Sequence, residues 1–193
     1  MSVFKSLRNI PARIANRMAF IRFRPDRADY PVINGRLMLF SGKNAKISFG
    51  SHVKINSGIR FNPIGGDSLA IIYAMPGATI SIGSNCGISN SAIVARQSVV
   101  IEDDVLIGGG CKIYDNDFHS IRFEERSQKP DPGIVSKPVV IRQGAFIGAH
   151  SIILKGVTVG RHSVIGAGSV VVCDVPDNEV WAGNPAVFVK KAD

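Results

Sequence analysis

"IRQGAFIGAHSIILKGVTVGRHSVIGAGSVV", residues 141–171, decides the fold. A branched aliphatic residue returns at every sixth position: Ile141, Ile147, Ile153, Val159, Ile165 and Val171. Four places after each of the first five stands a small residue: Ala145, Ser151, Val157, Ser163 and Ser169. An amphipathic helix repeats its apolar positions every 3.6 residues and a half-buried strand every 2, and neither sustains a period of six. A six-residue unit is a short strand plus a turn, with its first and fifth positions inward. One unit cannot bury its apolar face alone, so successive units must wind around a common axis as a parallel β-helix. The same register appears upstream at Ile101, Ile107 and Ile113 and at Ile82 and Ile88, and more loosely at Phe49 and Ile55. From about Leu37 to Val175 it predicts five or six coils.

Two stretches lose the period. Residues 62–78, "NPIGGDSLAIIYAMPGA", carry Gly65-Gly66 and Pro76 and read as a loop or distorted coil without chemistry. Residues 114–138 open with "YDNDFH" and read as a loop extruded from one coil. Tyr114, Asp115, Asp117 and His119 cluster at its start, which makes it the candidate site. Cys86 and Cys111 fall in the inward small-residue slot and read as packing residues. Cys173 has no assigned role, and an odd cysteine count without CxxC spacing argues against a disulfide framework or a zinc ribbon.

The 193 residues are 45% apolar and 20% charged, a globular composition. No apolar run nears the roughly 20 residues needed to cross a bilayer, so the expected compartment is the cytoplasm. The net charge of +8 is concentrated at the start: residues 1–30 hold seven Lys and Arg against Asp26 and Asp29. Phe4, Leu7, Ile14, Met18 and Ile21 recur there at helical spacing, with Pro11 as a candidate break. Residues 1–30 therefore read as a basic amphipathic helical segment, followed by the β-helix over 31–178 and a tail over 179–193. The helix either caps one end of the core or lies on an anionic membrane through residues 1–27, peripheral at the inner face. Without aromatic interleaving or a recognised module, nucleic-acid binding is not expected.

The motifs "GAFIGAHSIILKGVTVGRHSVIGAGSVVV" and "VPDNEVWAGNPAVFVKK" resemble the hexapeptide-repeat acyltransferases over about residues 80–191, nearest to sugar and surface-polysaccharide O-acetyltransferases. The resemblance implies a left-handed winding, which the repeat itself does not reveal, since crossovers in ordinary parallel sheets are right-handed. The expected fold class is thus all-β, a left-handed parallel β-helix with an extruded loop and a short N-terminal helix. The resemblance further implies a homotrimer with acetyl-CoA between neighbouring prisms, and transfer of an acetyl group to a sugar hydroxyl. Alternatives are N-acetylation of an amino sugar and a non-catalytic trimeric scaffold.

By the same resemblance His119 is the general base. Histidine suits the role because its ordinary pKa lies near working pH. Asp115, Asp117 and Glu124 are the candidates to orient the imidazole or bind acceptor hydroxyls, with Asp115 and Asp117 preferred, and Asn90 in "GISNSA" is a candidate toward the acceptor. Phe146, Gly148, Ala149, Gly166 and Ala167 are the expected neighbours of the pantetheine arm, and Lys190 of the nucleotide phosphates. Relatives commonly carry Thr-Lys at Val172-Cys173, a basic residue at Val187 and Gly at Arg142. No metal is expected, because His52, His150 and His162 fall on separate faces or coils and His119 has no partner histidine.

Overall fold

In the computed structural model, which describes residues 10–192, twenty strands form three sheets, parallel except for the last strand, that make the walls of a prism. Each coil contributes one short strand to each wall. The first coil is β1 (Asp26–Arg27), β2 (Val32–Gly35) and β3 (Met38–Ser41), and the second is β4 (Lys46–Phe49), β5 (Lys54–Ser57) and β6 (Ile71–Ala74). The third is β7 (Thr79–Ile82), β8 (Gly87–Ser89) and β9 (Ala92–Ala95), and the fourth β10 (Ser98–Ile101), β11 (Leu106–Ile107) and β12 (Lys112–Tyr114). The fifth is β13 (Val139–Ile141), β14 (Phe146–Ile147) and β15 (Ile152–Ile153), and the sixth β16 (Thr158–Val159), β17 (Val164–Ile165) and β18 (Val170–Val171). The result is the expected left-handed parallel β-helix, with six complete coils.

Register explains the clock. In the second wall Ile55 pairs with Ile88, Ile88 with Ile107, Ile107 with Ile147, and Ile147 with Ile165, so identical side chains stack up the axis. All five are buried, and each contributes on the order of 1.5–3 kcal/mol of transfer free energy. The fifth slot lies at the corners, where Cys86, Cys111, Ser151, Ser163 and Ser169 are buried, the two cysteines as packing residues. The buried hydroxyls bond turn carbonyls: Ser151 donates to Gly166 O at 3.0 Å and Ser163 to Pro176 O at 2.6 Å. The fourth slot takes a left-handed backbone, with φ of 58° at His52, 61° at His150 and 54° at His162. Histidine, asparagine and glycine are the residues that tolerate that corner, so these three histidines are turn formers.

Two boundaries move relative to the sequence expectation. The first coil starts at Asp26, inside the segment assigned to the helix, because β1 pairs with β4. At the other end β19 (Glu179–Gly183) pairs in parallel with β17, and then folds back as an antiparallel hairpin with β20 (Ala186–Lys191). The supposed tail thus extends the second wall. The interruption at 62–78 is shorter than read: residues 58–69 leave the coil through a 3-10 turn at Pro63–Gly65, and β6 resumes the wall.

Helix α1 (Ile10–Phe23) runs through Pro11 without a break. Phe4 and Leu7 lie outside the described residues. The helix packs on the first two coils through Phe20, its ring tilted 4.7 Å from that of Tyr30 and stacked 5.8 Å from that of Phe49, and through Asn16. The buried Asn16 amide donates to Gly35 O and accepts from Leu37 N, both at 2.9 Å, satisfying backbone groups at the open end of the prism. The apolar stripe read from the spacing turns outward: Ile14, Met18 and Ile21 are 56–65% exposed, and Ile10 beside them 43%.

Candidate active site

The extruded loop leaves the fourth coil after β12 and re-enters at β13. Its neck is closed by an antiparallel bridge between Asn116 and Ser136, by Asp117 N–H to Val135 O at 3.1 Å and by Lys137 N–H to Asp115 O at 2.9 Å. The Arg96 guanidinium donates to Ile134 O at 2.8 Å, tying the loop to the wall. A single helical turn, α2 (Phe123–Arg126), shapes the tip.

His119 sits just beyond the neck. Phe118 before it takes φ 61°, and His119 N–H donates to Asp117 O at 2.7 Å, a tight reversal. A positive φ on a bulky residue costs of order 1–3 kcal/mol and clusters at functional positions; here the Tyr114 ring packs edge-on against Phe118, centroids 5.1 Å apart. The imidazole is 71% exposed, while its Nδ1 lies 3.6 Å from Oδ2 of Asp131, whose side chain is only 8% exposed. That separation is longer than a hydrogen bond, and it sets the Nδ1 edge of the ring on the side of the carboxylate. A neutral imidazole that carries its proton on Nδ1 has Nε2 free to accept one.

Asp131 is itself pinned. Its Oδ2 accepts Ser120 N–H at 2.8 Å and its Oδ1 accepts Gly133 N–H at 3.0 Å. The Ser120 bond above all holds its pKa below the ordinary carboxylate value, with the Gly133 bond and the nearby His119 acting in the same direction. Beneath it the Ser120 hydroxyl donates to Glu125 Oε2 at 2.6 Å.

The structure thus corrects the acid assignments. Asp115 is fully buried and faces away from His119: Oδ1 accepts Arg96 N–H at 2.7 Å, and Oδ2 accepts Gln97 N–H at 2.6 Å and Ser98 N–H at 2.7 Å. It satisfies the turn that opens the fourth coil and presents nothing to an acceptor. Asp117 is engaged by Lys155 Nζ at 2.6 Å, joining the loop to the fifth coil. Glu124 is exposed on α2, and its neighbour Glu125 makes the loop contacts. Asn90 is buried and both ends of its amide are occupied, Oδ1 by Gly58 N–H at 2.7 Å and Nδ2 by Asn62 O at 2.6 Å. It latches the 58–69 excursion against the third coil.

Sequence reasoning missed Asp131. The "PDPG" turn at 130–133 did signal an aspartate bonding two residues ahead. Nothing in the order of residues shows that this turn folds back on His119.

Residues expected near a pantetheine arm lie on the second wall and its corner. Phe146 is exposed and in register between Leu106 and Val164, and Val164 pairs with Val180, giving an outward apolar strip. Ala149 is half-buried and Ala167 exposed at the adjoining corner. Gly148 and Gly166 instead serve coil stacking. A Cβ on Gly148 would lie 2.6 Å from Ala167 N, and their N–H groups are spent on Ile165 O and Trp181 O. Lys190 is exposed on β20. Among the described residues, no group of three or more His, Cys, Asp or Glu is arranged to hold a metal ion.

Stacked hexads find their counterpart in known proteins: residues 138–173 match the family described as "Bacterial transferase hexapeptide (six repeats)". The chain is similar to the galactoside O-acetyltransferase of Escherichia coli strain K12, 36% identical over 121 residues, covering 62% of this chain and 58% of that one. A second E. coli K12 protein, WbbJ, named for lipopolysaccharide biosynthesis O-acetyl transfer, is 27% identical over 81% of this chain and 77% of its own length. Among solved structures, the hexapeptide-repeat acetyltransferase VCA0836 of Vibrio cholerae O1 biovar eltor, complexed with acetyl-CoA, superimposes with a TM-score of 0.56 at 33% identity, over 63% of this chain and 64% of that one. The chain spans less than two thirds of the first curated relatives it matches, 59% and 58% of their lengths.

Proposed function

We propose that this protein is an acetyl-CoA-dependent O-acetyltransferase acting on a sugar hydroxyl, with His119 as general base and Asp131 as the residue that positions it. The supporting observation is the exposed imidazole of His119, its Nδ1 beside a pinned carboxylate at the neck of the loop. As the acceptor oxygen attacks the thioester carbonyl carbon, His119 Nε2 takes its proton, and the imidazolium returns that proton to the departing thiolate. Asp131 stabilises the imidazolium formed in between. No acyl-enzyme forms, so the buried Cys86 and Cys111 take no part.

The residues present fit the co-substrate. An apolar strip at Leu106 and Phe146 beside the exposed Ala167 suits a pantetheine arm. Lys190, which makes no ion pair among the described residues, suits phosphates. Relatives named as acetyltransferases, and an acetyl-CoA complex among the similar folds, support that choice of donor. The relative named for lipopolysaccharide biosynthesis supports a surface-polysaccharide sugar as acceptor.

The assembly belongs to the same proposal. Ile121 and Phe123 at the loop tip are 87% and 69% exposed, and a homotrimer in which the loop packs on a neighbour buries them. The outward stripe of α1, flanked by Arg13, Arg17 and Arg22, supports peripheral contact with an anionic inner-membrane face of the cytoplasm.

Calorimetric titration with acetyl-CoA, followed by acceptor screening, tests the proposal. His119→Ala lowers kcat about 10²- to 10⁴-fold and leaves acetyl-CoA affinity unchanged, since the exposed imidazole supports nothing else. Absence of saturable acetyl-CoA binding at millimolar concentration, or a variant with wild-type kcat, refutes it.

A further inference from the structure

Between α1 and the connection from β1 to β2 lies an open cavity of about 1310 Å³. Four arginines line it: Arg13 and Arg17 from the helix, Arg24 just after it, and Arg27 on β1. Its wall is apolar and aromatic, with Phe20, Tyr30 and Phe61 among the lining residues. The Arg27 guanidinium lies 5.5 Å from the centre of the Tyr30 ring.

These arginines lack counter-charges. None forms an ion pair among the described residues, although Asp26 and Asp29 lie nearby in sequence. Residues 1–9 contain no Asp or Glu that could supply one. Five arginines elsewhere are engaged: Arg122, Arg142 and Arg161 pair with carboxylates, and Arg96 and Arg126 donate to loop carbonyls. Arg22, Arg36 and Arg60 are also unpaired among the described residues, but none of them lines the cleft. The unpaired positive field is felt by Tyr30, whose phenol pKa is raised by burial and pulled back by Arg27 and Arg17. Four uncompensated guanidiniums around one hollow repel each other, and a bound anion removes that cost. Guanidinium is the side chain whose fork matches phosphate oxygens two at a time.

We propose that this cleft binds a ligand bearing two adjacent phosphates joined to an apolar or aromatic group, the phosphates on the arginines and the apolar part against Phe20 and Tyr30. The cleft's volume accommodates a ligand of that size. The inference stands apart from acetyl transfer, because the cleft belongs to the first coil and His119 to the fourth, about 14 Å higher along the axis at the usual strand spacing. The diphosphate comes either from a soluble nucleoside diphosphate or from a lipid headgroup.

Titration of the full chain with inorganic pyrophosphate and with UDP, alongside flotation with phosphatidylcholine vesicles carrying a polyprenyl diphosphate, separates the two sources. All four arginines are exposed, so charge changes leave the core intact. The double variant R17E/R27E weakens binding about 10- to 100-fold, the loss expected for charge-assisted bonds. The milder R17Q/R27Q guards against misfolding and shows a smaller loss in the same direction. K112E makes a single reversal on the exposed face of the fourth coil, away from both the cleft and the helix, and binds like wild type. Saturable pyrophosphate and UDP binding lost in R17E/R27E supports a soluble diphosphate, and vesicle binding alone lost in R17E/R27E but kept in K112E supports a headgroup. Binding of none of the three probes at low salt, or an equal loss in K112E, overturns the proposal.

Discussion

Replacing Asp115 by Asn separates a structural carboxylate from a substrate-binding one. Asp115 accepts four donors: Arg96 N–H and the Asn116 amide on Oδ1, and Gln97 and Ser98 N–H on Oδ2. An asparagine with its oxygen at the Oδ2 position keeps the last two as neutral bonds. Its NH₂ then confronts Arg96 N–H and Asn116 NH₂, donor against donor. Leaving one buried N–H unsatisfied costs about 1–3 kcal/mol, and turning two charge-assisted bonds into neutral ones costs about 1 kcal/mol each. The sum, about 3–5 kcal/mol, is a large share of the ~5–15 kcal/mol stability of a typical domain. For a chain of this size it lowers Tm by about 6–20 °C, readable by calorimetry or circular dichroism. Asp115→Ala, which leaves every donor orphaned, falls further. The kinetic constants of the folded fraction stay unchanged. A wild-type Tm in Asp115→Asn together with a raised acceptor KM would refute this and return Asp115 to the acceptor site.

Asp131→Asn lowers kcat by about tenfold to hundredfold, less than removal of the base itself, with acetyl-CoA affinity unchanged; a wild-type kcat contradicts the positioning role. Because the folded-state pKa of Asp131 is depressed, its contribution to loop stability is present above the unfolded aspartate value of about 3.9 and is lost as pH falls through the lower folded value. Hydrogen exchange of residues 116–136 therefore keeps its protection at pH 5 and loses it only in stronger acid, and Asp131→Asn lacks that acid-dependent step. Alkylation of the native chain near pH 8 modifies the exposed Cys173 and spares Cys86, whose thiol burial pushes up to about 11, and Cys111, raised by the same cause. Modification of all three at equal rates in the folded protein would contradict the inward corner slots.

The sequence by itself determined the solenoid. A period of six admits one way of burying Ile101, Ile107, Ile141, Ile147 and Ile153 together, namely stacking them along an axis. Local order along the chain also located the extruded loop and His119, since loss of a strict period is visible without coordinates. Only the tertiary structure decided what surrounds that histidine. Asp115 and Asp117 stand closest to it in sequence, yet the coil turn at residues 96–98 consumes the first and Lys155 the second, while Asp131 returns from the far limb of the loop. The helix shows the same division. Its spacing identified an amphipathic segment, but Phe20 and Asn16 answer the unpaired edge of the first coil, so they face inward and the isoleucine stripe faces out. Periodicity records which residues can share a face, and the partners available across the fold decide where that face points.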